Sequence, residues 1–552
     1  MGNNSMRRIR YNLALSFVLS SSLSLFIPSL LSGQLQKMTL TDVTLESGIR
    51  FIHSFGDDEM SNLIESNAGG CAFFDYDGDY DLDIYFVNGA YLEKISHIRG
   101  RQNKGKLRSA LYRNNGDGTF TDVTEQAHVG HEGMGMAVVC ADYDNDGDSD
   151  IFISNWGSNV LFKNNGDGTF SDNTLAAGLT NELFGIGSTF LDYDDDGWLD
   201  LYVGNYIDYD PDYQYYYAAE KFPGPLAYHG QPDVLYHNNG DGTFTDVTEA
   251  AGVYNPDGRA MGVTSCDVDD DGDWDIFVAN DAMENYLYQN NGDGTFTDIA
   301  LQTATAFSQS GEATSAMSGE FGDIDLNGLV DIIVPDMAYS CIYKNTGQGY
   351  FEEMSARMGL AAACGQYTSW SCNIFDFDHD GFSDLFISNG HPHRLIGEED
   401  LLLRNVDGTR FENISHTLGA DFQKKFVGRG SAVGDYDEDG DLDILVLNLN
   451  NRPRLLRNDC GNAQNWLKIL LVGKNSNRDA FGSRIRLTIG EKTQTRWKMS
   501  SSGYLSQSDY RIHFGLGKSN VAQKIEVRWP SGKFQILKNI KANQIITLNE
   551  PD

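Results

Sequence analysis

Positive charge is scarce in this sequence. Of 552 residues, 41 are Lys or Arg against 79 Asp or Glu, which leaves a formal net charge of −38. Nucleic-acid backbones are held by clustered cations, so this balance argues against a nucleic-acid binder. Cysteine is sparse as well. The seven, Cys71, Cys140, Cys266, Cys341, Cys364, Cys372 and Cys460, form no CxxC pair and no zinc spacing. Cys71, Cys140 and Cys266 lie in short apolar runs and read as small core residues. Only Cys364 and Cys372 are close enough in sequence to suggest a local disulfide. After residue 33 no segment is long and apolar enough to cross a membrane.

What is present begins with an export signal. MRRIR at 6–10 supplies a positive start, and 11–31 is an apolar stretch interrupted by Ser and by Pro28, with cleavage expected near Gly33. No Cys follows LSG, so there is no lipoprotein attachment site; an uncleaved anchor is the alternative, from a stretch marginal for spanning. The length implies two or more domains or one large repeat architecture.

A nine-residue acidic string recurs seven times: DYDGDYDLD from 75, DYDNDGDSD from 142, DYDDDGWLD from 192, DVDDDGDWD from 267, DIDLNGLVD from 323, DFDHDGFSD from 376 and DYDEDGDLD from 435. Starts are 50 to 75 residues apart, room for one four-stranded unit each. Each string runs into a short apolar segment such as IFIS or LYVG, too short for a helix and too apolar for a loop, hence a buried strand. Asn88, Asn155, Asn205, Asn280, Asn389 and Asn448 follow six of these runs, with Asp336 in that place in the seventh.

Four further segments, beginning LYRNNGDGTF at 111, LFKNNGDGTF at 161, LYHNNGDGTF at 235 and LYQNNGDGTF at 287, place an Asn-Gly-Asp-Gly turn between alternating strands, a tight-hairpin signal; looser copies start at 342 and 402. Six hairpins for seven strings leave one divided: LTDVT at 40–44 is a second half and RLLRN at 454–458 a first half. Pairing them would close a ring and remove its open edges, which favours a propeller over an open stack. The expected fold is therefore all-β: a seven-bladed β-propeller over 34–462, after a signal peptide at 1–33, and a small β-sandwich-like domain over 463–552.

Loop positions one, three, five and nine supply the candidate metal ligands. They are Asp75, Asp77, Asp79 and Asp83; Asp142, Asp144, Asp146 and Asp150; Asp192, Asp194, Asp196 and Asp200; Asp267, Asp269, Asp271 and Asp275; Asp323, Asp325, Asn327 and Asp331; Asp376, Asp378, Asp380 and Asp384; and Asp435, Asp437, Asp439 and Asp443. Converging carboxylates repel one another unless a cation sits among them. Ca2+ takes six to eight oxygens in a flexible shell, whereas Mg2+ demands a strict octahedron, so up to seven structural Ca2+ are expected. An EF-hand would need Glu at position twelve, where Ile153 stands in a strand-like run. The first loop departs from the others, with Gly78 early and Tyr80 where glycine is expected.

At these residues the chain resembles the FG-GAP or VCBS propeller family, whose calcium loops also occur in integrin α-subunit propellers. NRDAFGSRIRLTI from 477, SSGYLSQSDYRIHFGLG from 501 and VRWPSG from 527 resemble the ASPIC/UnbV domain. The combination, over about 40 to 548, is similar to the cartilage acidic protein family. The resemblance implies a calcium-binding propeller with a C-terminal β-domain in a secreted or surface protein, with no settled enzymatic activity. FPGP at 222–225 lacks a cysteine the family pattern would place before the proline, which leaves one implied disulfide open.

Two functions compete at this stage. One is a secreted or cell-surface binding or adhesion scaffold, monomeric, for an extracellular protein or polysaccharide. The other is a secreted enzyme, lyase-like or biosynthetic, with its site at the channel mouth, where convergent carboxylates or His would speak for it. Side features are a tyrosine-rich insertion (Tyr213, Tyr215, Tyr216, Tyr217), a basic one (Lys94, Arg99, Arg101, Lys104, Lys106, Arg108), His391 and His393 with no HExxH or nucleophilic Ser motif nearby, and a polar tail set of Ser506, Gln507, Asp509 and His513. For the tail set, satisfying buried backbone groups within the small sandwich is the favoured role.

Overall fold

The computed structural model describes residues 38–213, 221–337, 339–460 and 464–552. The expected export signal, and Tyr215, Tyr216 and Tyr217, lie outside the described residues.

Each acidic string joins the first two strands of a four-stranded antiparallel sheet, and each Asn-Gly turn joins the last two. In the first sheet Cys71–Phe74 pairs with Asp83–Phe86, which pairs with Ala110–Asn114, which pairs with Phe120–Asp122. The apolar run after the string is a strand buried on both faces, as in IFIS, where Ile151, Phe152 and Ile153 are all inaccessible. Six more sheets repeat the plan, with inner strands Met134–Ala141, Gly185–Leu191, Ala260–Cys266, Glu320–Gly322, Ser369–Phe375 and Gly428–Gly434. The seventh sheet takes its outer strand from the other end of the chain: Leu40 pairs with Asn458 and Asp42 with Leu456. The divided hairpin expected from LTDVT and RLLRN is thus formed.

Neighbouring inner strands touch in order, and the last, Gly428–Gly434, returns to the first, Cys71–Phe74. This is the arrangement of a β-propeller, and the fold is all-β. The apolar core is divided into clusters that lie between adjacent sheets, such as Phe74, Tyr85, Cys140 and Ile151 between the first and second. Cys71, Cys140 and Cys266 are buried there, as expected. Cys364 and Cys372 are both buried as free thiols, so the suggested disulfide is absent. Their cluster is apolar, and burial raises both thiols above their ordinary pKa, the state of inert core cysteines.

The tail is two facing sheets. Asn465–Val472 runs between Ile512–Gly517 and, in parallel, Ile545–Asn549. A four-stranded sheet, Lys492–Trp497, Arg484–Ile489, Val521–Arg528 and Phe534–Lys541, covers it over a core that includes Leu467, Ile485, Phe514, Val527 and Trp529. It is not a detached module: residues 38–552 form one compact unit.

The coupling is made by the segment between Trp497 and Ile512, which threads the middle of the ring and bonds to the inner strand of every sheet. Phe73 N and Val138 N donate to Gln507 O and Leu505 O. Phe190 N donates to Ser500 Oγ at 2.9 Å, and Ser501 Oγ to Val263 O at 3.2 Å. Gly503 N donates to Glu320 Oε2 at 2.7 Å, Tyr504 N to Ser371 Oγ at 2.8 Å, and Val433 N to Ser508 Oγ at 3.0 Å. Glycines beside and within the inner strands make room for this approach: a Cβ on Gly70 would lie 2.1 Å from Leu505 O and one on Gly430 2.4 Å from Ser506 Oγ. Ser506 and Gln507 do satisfy buried backbone groups, but those of the ring's inner strands and not of the sandwich, Ser506 Oγ accepting from Cys71 N and the Gln507 amide bridging both backbone groups of Cys140.

Candidate metal centre

Each acidic string folds into a loop whose shape is fixed by its own first and last carboxylates. In the second loop, Asp142 accepts from Asp146 N at 2.9 Å and Gly147 N at 2.8 Å. Asp150, inaccessible at the loop's end, accepts from Tyr143 N on one oxygen and Asn164 N on the other. The same clasp recurs at Asp83, Asp200, Asp275, Asp331, Asp384 and Asp443. The ninth carboxylate is therefore a structural clasp as well as a candidate ligand.

The first loop is less aberrant than its sequence suggests. The fourth position is left-handed in all seven loops, and Gly78 there has φ 75°, like Asn145 at 56°. Position six needs positive φ too, and Tyr80 adopts 72° where the other loops use glycine. The backbone path is shared; the cost is strain at a bulky residue, about 1–2 kcal/mol.

Carboxylate oxygens converge within 4.8 Å in Asp75/Asp77/Asp83, Asp142/Asp144/Asp146, Asp192/Asp194/Asp196 and Asp267/Asp269/Asp271, and also in Asp194/Asp200/His237. Several of these clusters can hold a metal ion. Buried oxygens of Asp144, Asp267, Asp325, Asp376, Asp435 and Asp437 find no hydrogen-bond partner among the described residues. Burial, reinforced by the neighbouring carboxylates, pushes Asp142 up to about 7, Asp192 to about 8 and Asp83 to about 9. Each string gathers three or four acidic or amide oxygen ligands against at most a few cationic side chains, and the buried oxygens left without a partner are what a bound cation would satisfy, so the residues fit a hard divalent ion.

Three loops also meet cations from the tail. Lys468 Nζ lies 2.5 Å from Asp435 Oδ2 with both side chains inaccessible. Arg528 pairs with Asp267, and Arg511 Nη1 reaches Glu438 Oε1 at 2.9 Å. The loops thus lie on the face of the ring that the tail covers.

A residue that sequence reasoning passed over as part of the turn closes the ring. Asn164 Nδ2 donates to Tyr76 O, in the second position of the preceding sheet's string. Asn238, Asn290, Asn345, Asn405 and Asn458 do the same to the carbonyls of Tyr143, Tyr193, Val268, Ile324 and Phe377, and Asn114 reaches Tyr436 in the seventh sheet, a cycle of bonds of 2.7 to 3.3 Å. The signal was available: in NTGQG, NVDGT and NDCGN the turn residues change while this Asn persists.

The other features separate. Arg99 pairs with Glu59, Lys104 with Glu93, and Arg108 with Glu125 and Glu132, so half of the basic insertion is an intramolecular counter-patch. His393 packs against Phe222 with the rings tilted and centroids 4.9 Å apart, and borders a cavity of about 330 Å3 with Leu63, Tyr206, Met261, Met317 and Trp370. Its buried carboxylate, Asp281, already accepts from Tyr206 Oη at 2.6 Å. Tyr213 packs against Tyr228 of the same chain, rings tilted and centroids 5.5 Å apart.

A model of FG-GAP-like repeats matches 75–153, 142–203, 226–278, 267–334 and 323–387, more than half of the chain, and one described as ASPIC and UnbV matches 473–552. The chain belongs to the FG-GAP-like repeat family, with a C-terminal ASPIC/UnbV domain. It is 25% identical to human cartilage acidic protein 1 over 58% of this chain and 40% of that protein, and 27% identical to the Xenopus tropicalis protein over 47% and 40%. The chain thus spans about two fifths of the length of these relatives. Solved structures similar to it include an Agrocybe aegerita lectin that recognises non-reducing terminal N-acetylglucosamine (17% identity, TM-score 0.39, 65% of this chain and 83% of that one). Another is the extracellular domain of a hybrid two-component system from B. thetaiotaomicron (10%, 0.41, 93% and 55%). Among the described residues no helix is long and apolar enough to cross a membrane.

Proposed function

We propose that the chain is an exported, calcium-loaded seven-bladed propeller that serves as a binding scaffold for an extracellular protein or polysaccharide. The observation that carries the calcium is the sevenfold loop, which in five copies holds a buried carboxylate oxygen without a partner among the described residues. Asp at positions one, three and five, with the ninth as clasp, would hold the ion; the ion supplies the positive charge that lets these carboxylates stay ionised where they are buried. The chain's own residues do the rest: the ninth Asp fixes the loop to its sheet, and the hairpin Asn fixes that sheet to the next. The kinship with cartilage acidic protein supports an extracellular address. The rival enzymatic site at the channel mouth is less favoured, because 500–509 bonds to the inner strands along the axis and the cavity beside His393 is mostly apolar.

Elemental analysis of the purified mature chain should find several equivalents of Ca2+, and EDTA dialysis should lower its melting temperature. An ion at a hundred times its dissociation constant contributes about 2.7 kcal/mol per site. No calcium, with an unchanged melting temperature after chelation, refutes the reading. A glycan and protein array probed with and without Ca2+ tests the scaffold role, which calcium-dependent capture supports and uniform silence counts against.

A further inference from the structure

One position outside the acidic strings addresses them seven times over. It is the residue immediately before the hairpin Asn, on the third strand of each sheet: Arg113, Lys163, His237, Gln289, Lys344, Arg404 and Arg457. Strand alternation turns the Asn inward to its sheet neighbour and this residue the other way, toward the mouth of its own loop. Lys163 Nζ bonds Asp144 and lies 3.1 Å from Asp146. Lys344 Nζ bonds Asp325. His237 Nδ1 lies 3.4 Å from Asp194 and 3.2 Å from Asp200, and Gln289 Nε2 donates to Asp269 at 2.6 Å. Arg404 and Arg457 pair instead with Glu412 at 3.1 Å and Asp459 at 2.8 Å, and the charges of Arg113, Arg404 and Arg457 reach Asp77, Asp378 and Asp437 at longer range. In four sheets the side chain touches the third-position Asp of its own string, and in the other three its charge acts on that Asp from further away.

We infer that this side chain is a tethered counter-cation that competes with the divalent ion for the third-position carboxylate and sets the affinity of each loop. The inference rests on the calcium reading proposed above and deepens it. With no metal, the ammonium or guanidinium supplies part of the missing positive charge, which keeps the loop folded. When a metal arrives, the tether must leave the oxygens it holds, and it remains nearby as a like charge. Both effects weaken binding, so the sign does not depend on how far it moves. Five of the seven positions carry Lys or Arg; Gln289 alone carries an uncharged amide with no titrating group, and its partner Asp269 is the third-position ligand most open to metal from that side. The loops are therefore a graded series rather than seven equal sites. Lys163 is partly exposed (31% for the side chain), so changing it disturbs no core packing.

The test uses the full mature chain and Ca2+ titrated against a chromophoric chelator, with bound calcium counted by elemental analysis. Lys163→Gln should move one equivalent to about tenfold tighter binding, and the reciprocal Gln289→Lys should move one equivalent to about tenfold weaker binding, the scale of one unit charge a few ångströms from a partly exposed site. Unchanged calcium counts with affinities that fail to shift in these opposite directions overturn the inference and leave the calcium reading standing. A wild-type chain without calcium overturns both. Loss of affinity in Lys163→Gln, with Gln289→Lys unchanged, would make the lysine a support of the occupied loop and also refutes competition.

Discussion

Asn114→Ala tests whether the ring is closed by its hairpin asparagines. Asn114 is buried, and its Nδ2 donates to Tyr436 O at 2.8 Å and Leu82 O at 3.1 Å while Oδ1 accepts from Gly116 N at 3.1 Å. Alanine removes all three bonds and leaves the Tyr436 carbonyl, on the far side of the seam between the first and seventh sheets, without this donor. At a net 1 kcal/mol or so per bond, the loss is about 3 kcal/mol. For roughly 500 ordered residues the unfolding entropy is near 1 kcal/mol/K, so the melting temperature should fall by about 3 °C. Differential scanning calorimetry in saturating Ca2+ reads this directly. Asn290→Ala, which breaks the same set at a seam in mid-ring, should cost the same. Asn115→Ala is the control, because that neighbour is exposed and bonds only within its own turn; it should stay within about 0.5 kcal/mol. If Asn114 and Asn290 behave like Asn115, the circular latch contributes nothing and the reasoning fails.

Two further expectations concern strain and buried charge. Tyr80→Gly should stabilise the first loop, because relief of positive φ (72°) outweighs the extra freedom glycine gives the unfolded chain; a gain of about 0.5–1 kcal/mol in urea unfolding is expected, and a loss would show that the ring of Tyr80 matters more than its backbone. Glu320, which accepts from Gly503 N, is pushed by burial up to about 8, so the folded state binds its proton more tightly than the unfolded state does. Wild-type stability from this group is full below the unfolded pKa near 4.5 and is lost as pH rises toward 8. Glu320→Gln should flatten that slope in thermal scans from about pH 5 to about pH 9; an unchanged slope rules Glu320 out as its source.

Much of the architecture was legible because it repeats. Seven acidic strings, each followed by an apolar run, fix seven loop–strand units, and the half-hairpins at 40–44 and 454–458 reveal that the ends meet. Periodicity could not show what happens between units. The hairpin Asn looks like a turn former, since Asn-Gly is sufficient reason for its presence, and only the distance to the next sheet's carbonyl shows its second bond. The cation before it reads as ordinary strand-surface polarity until the loop is folded beside it. SSSGYLSQSD has neither helical nor strand period, so its path through the ring was invisible; it is irregular because it must meet seven strands that present different groups. The first loop was misjudged for a related reason: Gly78 and Tyr80 exchange residue types between two positions that both need positive φ, which preserves the backbone while altering the motif.

The threaded segment explains why ring and tail form one unit. Inner strands at a propeller axis are crowded, and their outermost backbone groups face a narrow space where water would be ordered poorly and bonds incompletely satisfied. A serine-rich segment of the chain's own tail fills that space with donors and acceptors of matching kind, among them Ser500, Ser506 and Gln507. The same tail carries Lys468, Arg511 and Arg528 to the acidic loops on the face around it. Docking therefore satisfies the axis and neutralises part of the loop charge together. Two of these carboxylates, Asp435 and Asp267, are also candidate metal ligands, so the tail cations and the proposed ion address the same groups.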